Sequence, residues 1–289
     1  MTVRKAVIAA AGLGTRMYPI TKTIDKAMLP LGRRPAIDYT IRECARAGVE
    51  QIAIVVREGS TQIQHYYGCD RDLRALLALR GWEDKATALD ETSSVPELVF
   101  FEQSLEEGYG TAIPALLARE FVGDDSFFYL SSDDLLADEP GESTLASLAD
   151  TAGDRYGIVG QSATPEDLGR YGLLATEEVG GALYLRGIAE KATEAPNGHR
   201  PLLINISRYV FPATFFETLA SVETNPGSGE IYLTDGLTAV LSSDPDAVRV
   251  QPSHGGYFDL GSMNGLVAAV NHFSMAEIDF ENSPILSSV

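Results

Sequence analysis

The run Ala9-Ala10-Ala11-Gly12-Leu13-Gly14-Thr15-Arg16-Met17-Tyr18-Pro19, followed by Lys26-Ala27-Met28-Leu29-Pro30, sets two glycines and two cations directly behind a short apolar stretch. Glycine reaches backbone angles closed to other residues, so successive N–H groups of such a loop are free to face an anion. The segment reads as a loop that holds a nucleoside triphosphate by its backbone, with Arg16 and Lys26 on the irregular stretch beyond the glycines. It is not the dinucleotide fingerprint G-x-G-x-x-G, because position 17 is Met17 and Tyr18-Pro19 prevents a helix from starting promptly. The Walker phosphate loop also fails, since no Lys-Ser or Lys-Thr follows Gly14.

A second group of candidates is acidic. Asp133 lies just past the strand-like run Ser126 to Leu130, with Asp134 next to it, where a carboxylate projects from a strand end. Magnesium takes one or two carboxylates, with phosphate oxygens and water completing an octahedral shell. The best second carboxylate elsewhere in the chain is Asp259, in Gly255-Gly256-Tyr257-Phe258-Asp259-Leu260-Gly261. Asp134 divides evenly between a role in the site and a turn cap. The pair Glu190-Lys191, taken alone, is a surface ion pair worth little. Four histidines, at 65, 199, 254 and 272, show no paired spacing, and neither G-x-S-x-G nor H-E-x-x-H occurs. Cys44 and Cys69 are too few for a disulfide framework and read as free thiols.

The pattern G-L-G-T-R-M-x-P-x-T-K-x-x-x-K-x-M-L-P-L resembles the signature of the sugar-1-phosphate nucleotidyltransferases, and most closely the bacterial UTP:glucose-1-phosphate uridylyltransferases among them. Further segments agree in order and spacing over roughly residues 3 to 272: Gln103 to Ala112, Ser132 to Leu135, Tyr171-Gly172, Glu190-Lys191, Gly229 to Asp235 and Phe258 to Gly261. The resemblance implies Mg²⁺-dependent transfer of a uridylyl group from UTP to glucose 1-phosphate, giving UDP-glucose and pyrophosphate. It implies Arg16, Lys26, Asp133 and Lys191 as catalytic residues and Asp133 and Asp259 as metal ligands. Ala11, Gly12, Gly14, Thr15, Gln103 and Gly108 fall on the nucleotide, and Gly172, Glu190 and Lys191 on the sugar. A glutamine amide offers a donor and an acceptor to a pyrimidine edge. Uracil and thymine differ by one methyl, which an apolar pocket discriminates by only about 1–3 kcal/mol. A dTTP-dependent enzyme, or one acting on another hexose 1-phosphate, therefore stays open, as does a non-catalytic nucleotide-sugar-binding regulator. Three positions depart from the family: Ala27 stands where a glutamate is usual, Glu107 where a lysine is typical, and Ala192 where a proline follows the Glu-Lys pair.

The elements that must position these groups follow from the apolar pattern. Short apolar runs at 4–10, 51–56, 98–102 and 126–130 alternate with helix-like segments at 35–47, 71–79 and 111–120. Such alternation implies right-handed crossovers and a mainly parallel sheet covered on both faces, with ligands at the carboxyl ends of the strands. From about 156 the runs become those of an antiparallel or mixed section, and helices are expected again at 212–222, 235–242 and 263–273. The fold class is thus α/β, a Rossmann-like, mainly parallel sheet of the nucleotidyltransferase type with a smaller sugar-binding part. We expect one domain over 1–273: a nucleotide part to about 135, a sugar part over about 136–262, and a C-terminal helix and tail over 263–289.

Net charge is −19, which disfavours nucleic acid as a partner. Residues 1–50 nevertheless hold nine bases against four acids, whereas the rest holds 13 against 37, a local basic excess that suits capture of a small polyanion. No apolar run approaches the roughly 20 residues that span a bilayer, and MTVRK leads straight into a strand, so a cytoplasmic location is expected. Apolar surface on the C-terminal helices would suit a homo-oligomer, a dimer or tetramer.

Overall fold

The structure, a computed structural model, describes residues 2–92, 94–104, 106, 108–190, 192 and 202–281. Its first strand, Lys5–Ala10, is central: Gln51–Arg57 pairs with it on one side and Phe127–Ser131 on the other, both parallel. Both faces of such a strand are covered, which is why Ala6, Val7 and Ile8 are consecutive and fully buried instead of alternating with polar residues. Glu97–Gln103 extends the parallel set beyond Gln51–Arg57.

Strand side chains alternate between faces. Val7, Val55, Phe127 and Tyr129 belong to one core, capped by the helices Ile113–Leu117, Phe215–Ala220 and Leu233–Ser243. Ala6, Ile8, Ile54, Phe128 and Leu130 belong to the other, under Ala36–Arg46 and Thr144–Ala152.

One nine-stranded sheet runs in the order Glu97–Gln103, Gln51–Arg57, Lys5–Ala10, Phe127–Ser131, Leu203–Phe211, Tyr156–Ser162, Val248–Pro252, Ala182–Ala189, Leu173–Val179. Its second half is mixed, as expected. Leu203–Phe211 lies antiparallel to both neighbours, Val248–Pro252 pairs parallel with Tyr156–Ser162, and Leu173–Val179 folds back on Ala182–Ala189 through Gly180-Gly181. After Lys5–Ala10 the chain goes first to one side and later to the other. The gap this opens at the carboxyl ends of Lys5–Ala10 and Phe127–Ser131 is where ligands collect in open α/β sheets.

One feature was invisible in the apolar pattern: a separate ribbon in which Asp134–Ala137 pairs antiparallel with Gly256–Asp259, Asp134 facing Asp259. Each strand has only four residues, and the partners are distant in sequence. Helix positions agree with expectation to within a few residues. The segment expected at 111–120 splits into Ile113–Leu117 and Arg119–Val122, and that expected to end at 273 runs on as Met263–Glu281. The last helix is held by Ala269 in a small core with Leu31, Ala36, Leu135 and Leu260, and by the Tyr39–Phe273 ring pair, while Met263 and Val267 remain exposed. Among the described residues no helix is long and apolar enough to cross a membrane.

Candidate active site

A cavity of about 740 Å³ opens at the predicted gap, bordered by residues 9–17, Lys26, Asp133, Glu190, Asn205, Glu230 and Tyr232 to Asp235. The glycine loop leaves the end of Lys5–Ala10 and turns at Gly14, whose φ of 62° is in the left-handed region that a residue with a side chain avoids. Thr21 Oγ1 donates to the Gly14 carbonyl at 2.8 Å, and the Met17 amide donates to it at 2.9 Å. Met17 and Ala27 are buried beneath, anchoring the loop from inside.

The short turn that carries Lys26 is locked from the side. Asp25 accepts from Arg57 Nη2 at 3.0 Å and from Ser60 Oγ, while Gln62 takes the Asp25 amide at 3.1 Å and donates to the Thr23 carbonyl at 3.0 Å. Lys26 is thereby tied to the end of the strand Gln51–Arg57. Its Nζ donates to Asp133 Oδ2, and Ser131 Oγ donates to Asp133 Oδ1. Burial opposes ionisation of Asp133, but the Lys26 ammonium and these hydrogen bonds outweigh it and hold the carboxyl below its ordinary range. The backbone there is equally fixed: the Ser132 amide donates to the Ala9 carbonyl at 3.1 Å and the Leu260 amide to the Asp133 carbonyl at 2.8 Å.

Asp259 arrives at the same place along the ribbon. Its Oδ1 accepts from the Gly261 amide at 2.6 Å and its Oδ2 from Tyr171 Oη at 3.2 Å. A Cβ added at Gly261 would meet Arg16 Nη2 at 2.3 Å and Asp259 Oδ1 at 2.6 Å, so the Arg16 guanidinium and the Asp259 carboxylate both crowd this one glycine. Asp134 does not cap a turn. It accepts from Tyr257 Oη at 2.6 Å, and burial together with the neighbouring Asp133 charge pushes its carboxyl up to about 7.

Among the described residues no group of three or more His, Cys, Asp or Glu side chains surrounds a common point. Asp133 and Asp259 bring two carboxylates to the end of the ribbon. Each accepting oxygen has a second lone pair beyond the contacts named, so the donor set fits a cation that completes its shell with phosphate oxygens and water.

Gln103, at the end of its strand and nearly buried, borders the cavity and donates to the Gly108 carbonyl at 3.2 Å. Tyr109 to Ala112 is zipped to Glu230–Leu233 by Ile231 N to Tyr109 O at 3.0 Å, Ala112 N to Ile231 O at 3.1 Å and Leu233 N to Thr111 Oγ1 at 2.9 Å. Across the cavity Glu190 follows the strand Ala182–Ala189, and a Cβ at Gly172 would come within 3.2 Å of Glu190 Oε1. Ala11, Gly12, Gly14, Thr15, Arg16, Lys26, Gln103, Asp133 and Glu190 all border the cavity, whereas Gly108, Gly172 and Asp259 are not among the residues that line it. Lys191 and Glu107 lie outside the described residues. The basic excess of the first fifty residues is partly spent internally: Arg4 pairs with Glu50, Lys5 with Asp125, and both Arg34 and Arg42 with Asp38.

Among the cavity residues that were not anticipated are Asn205, Ser207 and Tyr209. They sit in the run Leu202 to Phe211, whose apolar character marks only a strand. The signal within it is the polar set Asn205, Ser207 and Arg208, out of place in a buried strand.

A family model described as nucleotidyl transferase matches residues 5–275. The UTP–glucose-1-phosphate uridylyltransferase of Bacillus subtilis is 33% identical over 272 residues, covering 92% of this chain and 88% of that protein. The enzyme of the same name from Mycoplasma genitalium is 30% identical over 287 residues, covering 98% and 96%. The solved structure of a UTP-bound UGPase from Acinetobacter baumannii superimposes with a TM-score of 0.81 at 28% identity, over 98% of this chain and 99% of that one.

Proposed function

The chain belongs to the nucleotidyl transferase family, and from that premise we propose that it transfers the uridylyl group of UTP to glucose 1-phosphate, releasing pyrophosphate. The observation that carries this reading is the meeting of the glycine loop, Lys26, Asp133 and Glu190 around one cavity.

The nucleophile, a phosphate oxygen of the sugar phosphate, is already ionised at neutral pH, so no general base is needed. Catalysis then consists of holding two anions that repel each other and stabilising charge as it moves to the leaving group. Two unit charges about 4 Å apart repel by roughly 4 kcal/mol at an effective dielectric of 20. Backbone amides from Ala11 to Thr15 would hold the triphosphate, and Arg16 and Lys26 would neutralise it and the departing pyrophosphate. Asp133 and Asp259 would hold Mg²⁺, which would supply positive charge to offset the repulsion between the two anionic substrates. Asp133, kept ionised by Lys26, acts as a ligand and not as an acid. Glu190 would accept sugar hydroxyls and Lys191 would neutralise the sugar phosphate, as the family resemblance implies.

The test is pyrophosphate release with Mg²⁺ and glucose 1-phosphate across UTP, dTTP, ATP, CTP and GTP, with an EDTA control. Metal-dependent release led by UTP is expected. Release led by dTTP would keep the chemistry and overturn the nucleotide, and no release with any of the five would overturn the reading. Asp133→Asn should lose on the order of 1,000-fold in turnover with its fold intact, and retention of more than about a tenth, worth only about 1.4 kcal/mol of barrier, removes Asp133 from the role.

A further inference from the structure

Leu203–Phe211 does not run evenly along its neighbour. Asn205 faces Gly160 and Tyr209 faces Ile158, so four steps on one strand match two on the other. The extra residues bulge, with Ser207 at φ 53°, an uncommon conformation for a residue with a side chain. The bulge puts Ser207 on the cavity and leaves Arg208 wholly buried, at 0% exposure.

Arg208 spends its guanidinium in two directions. Toward the helix Ala36–Arg46 it grips Glu43, itself 2% exposed, through Nε to Oε1 at 3.0 Å and Nη2 to Oε2 at 2.8 Å. Toward the site it donates from Nη1 to the Ser131 carbonyl at 3.2 Å and from Nη2 to the Asp134 carbonyl. Those two carbonyls bracket the Ser132-Asp133 turn. We propose that Arg208, oriented by Glu43, is a positioning residue that clamps both ends of this turn and so fixes the direction of the Asp133 carboxylate toward Lys26 and the cation site. The proposal rests on the reading of Asp133 given above.

A buried ion pair is by itself weak evidence for a stabilising role. What distinguishes this one is the use of a planar fork to reach two backbone carbonyls on either side of a functional aspartate. Lysine keeps the charge but cannot span both carbonyls and the carboxylate at once. Glu43→Asp keeps the pair but draws the guanidinium back by one methylene.

Arg208→Lys and Glu43→Asp are compared with the full-length parent by steady-state kinetics, by thermal melting, and by Mn²⁺ binding followed by electron paramagnetic resonance in the presence of UTP. The clamp predicts that kcat falls by on the order of 100-fold in Arg208→Lys, and by about tenfold in Glu43→Asp, with KM for UTP within about threefold. It also predicts weaker Mn²⁺ binding in both, an effect that a purely structural role does not produce in a protein that is still folded. If Arg208→Lys does not fold, Glu43→Asp decides. Folded variants with lowered melting points but parental kcat and parental Mn²⁺ binding overturn the clamp. A parent without metal-dependent pyrophosphate release overturns instead the function on which it rests.

Discussion

Two residues have effects that their chemistry alone does not suggest. Gly261 matters for the atoms it lacks: a methyl there would collide with the end of Arg16, a long side chain that can swing away, and with Asp259 Oδ1, which would have to shift against the Gly261 amide. Gly261→Ala is therefore expected to cost no more than about 1 kcal/mol of stability while displacing two groups of the site, for a loss in kcat of about 100-fold. Chemical denaturation and kinetics on one preparation check both halves, and a variant with parental kcat refutes the argument. Asp134 holds its proton up to about 7 in the fold, against an unfolded carboxylate value near 3.9. Between those values the folded chain keeps a proton that the unfolded chain has released, so this group's contribution to stability falls as pH rises through the window and is flat above it. Asp134→Asn, which still accepts from Tyr257, should raise the melting temperature relative to the parent more at about pH 8 than at about pH 5. An equal difference at the two pH values would mean that Asp134 ionises normally.

At the scale of elements, the site depends on segments zipped to one another. Gly110 has φ 124°, and a Cβ there would lie 2.2 Å from the Ile231 carbonyl, a backbone atom that cannot swing aside. Gly110→Ala should part Tyr109–Ala112 from Glu230–Leu233, costing about 3 kcal/mol and raising KM for UTP more than it lowers kcat; urea unfolding with parental stability would contradict this. The alternating strands and helices were legible because each buried strand is a continuous apolar run and each helix carries an apolar face. Asp133 was legible because it follows such a run. The ribbon that brings Asp259 was not, since four-residue strands leave no periodicity, and Asp259 was located by motif and not by fold. The Arg208 bulge was hidden for the opposite reason: the surrounding residues LLINISRYVF are apolar enough to conceal an interruption in register. The Tyr171-Gly172 segment was legible only as a motif, and the hydrogen bond from the Tyr171 hydroxyl to Asp259 was not.

For the whole molecule the acidic excess is the dominant fact. A net charge of −19 on 289 residues, with 41 acids against 22 bases, means that most of the surface repels itself. Raising NaCl from about 0.01 M to 1 M shortens the screening length from about 30 Å to 3 Å, so the melting temperature should climb through that range. A flat or falling series would show that local ion pairs such as Lys5–Asp125 outweigh the general repulsion.

The sheet order also sets a timetable for synthesis. Phe127–Ser131 is made early, yet its second neighbour, Leu203–Phe211, is made only after Tyr156–Ser162 and both strands of the Leu173–Ala189 hairpin, and Asp259 comes later still. A growing chain that has exposed Asp133 therefore has an open strand edge and no second carboxylate. During this interval the nascent protein depends on protection from aggregation. With Asp259 in the role proposed for it, the chain also cannot spend nucleotide prematurely, because the second carboxylate is made after every strand of the nine-stranded sheet.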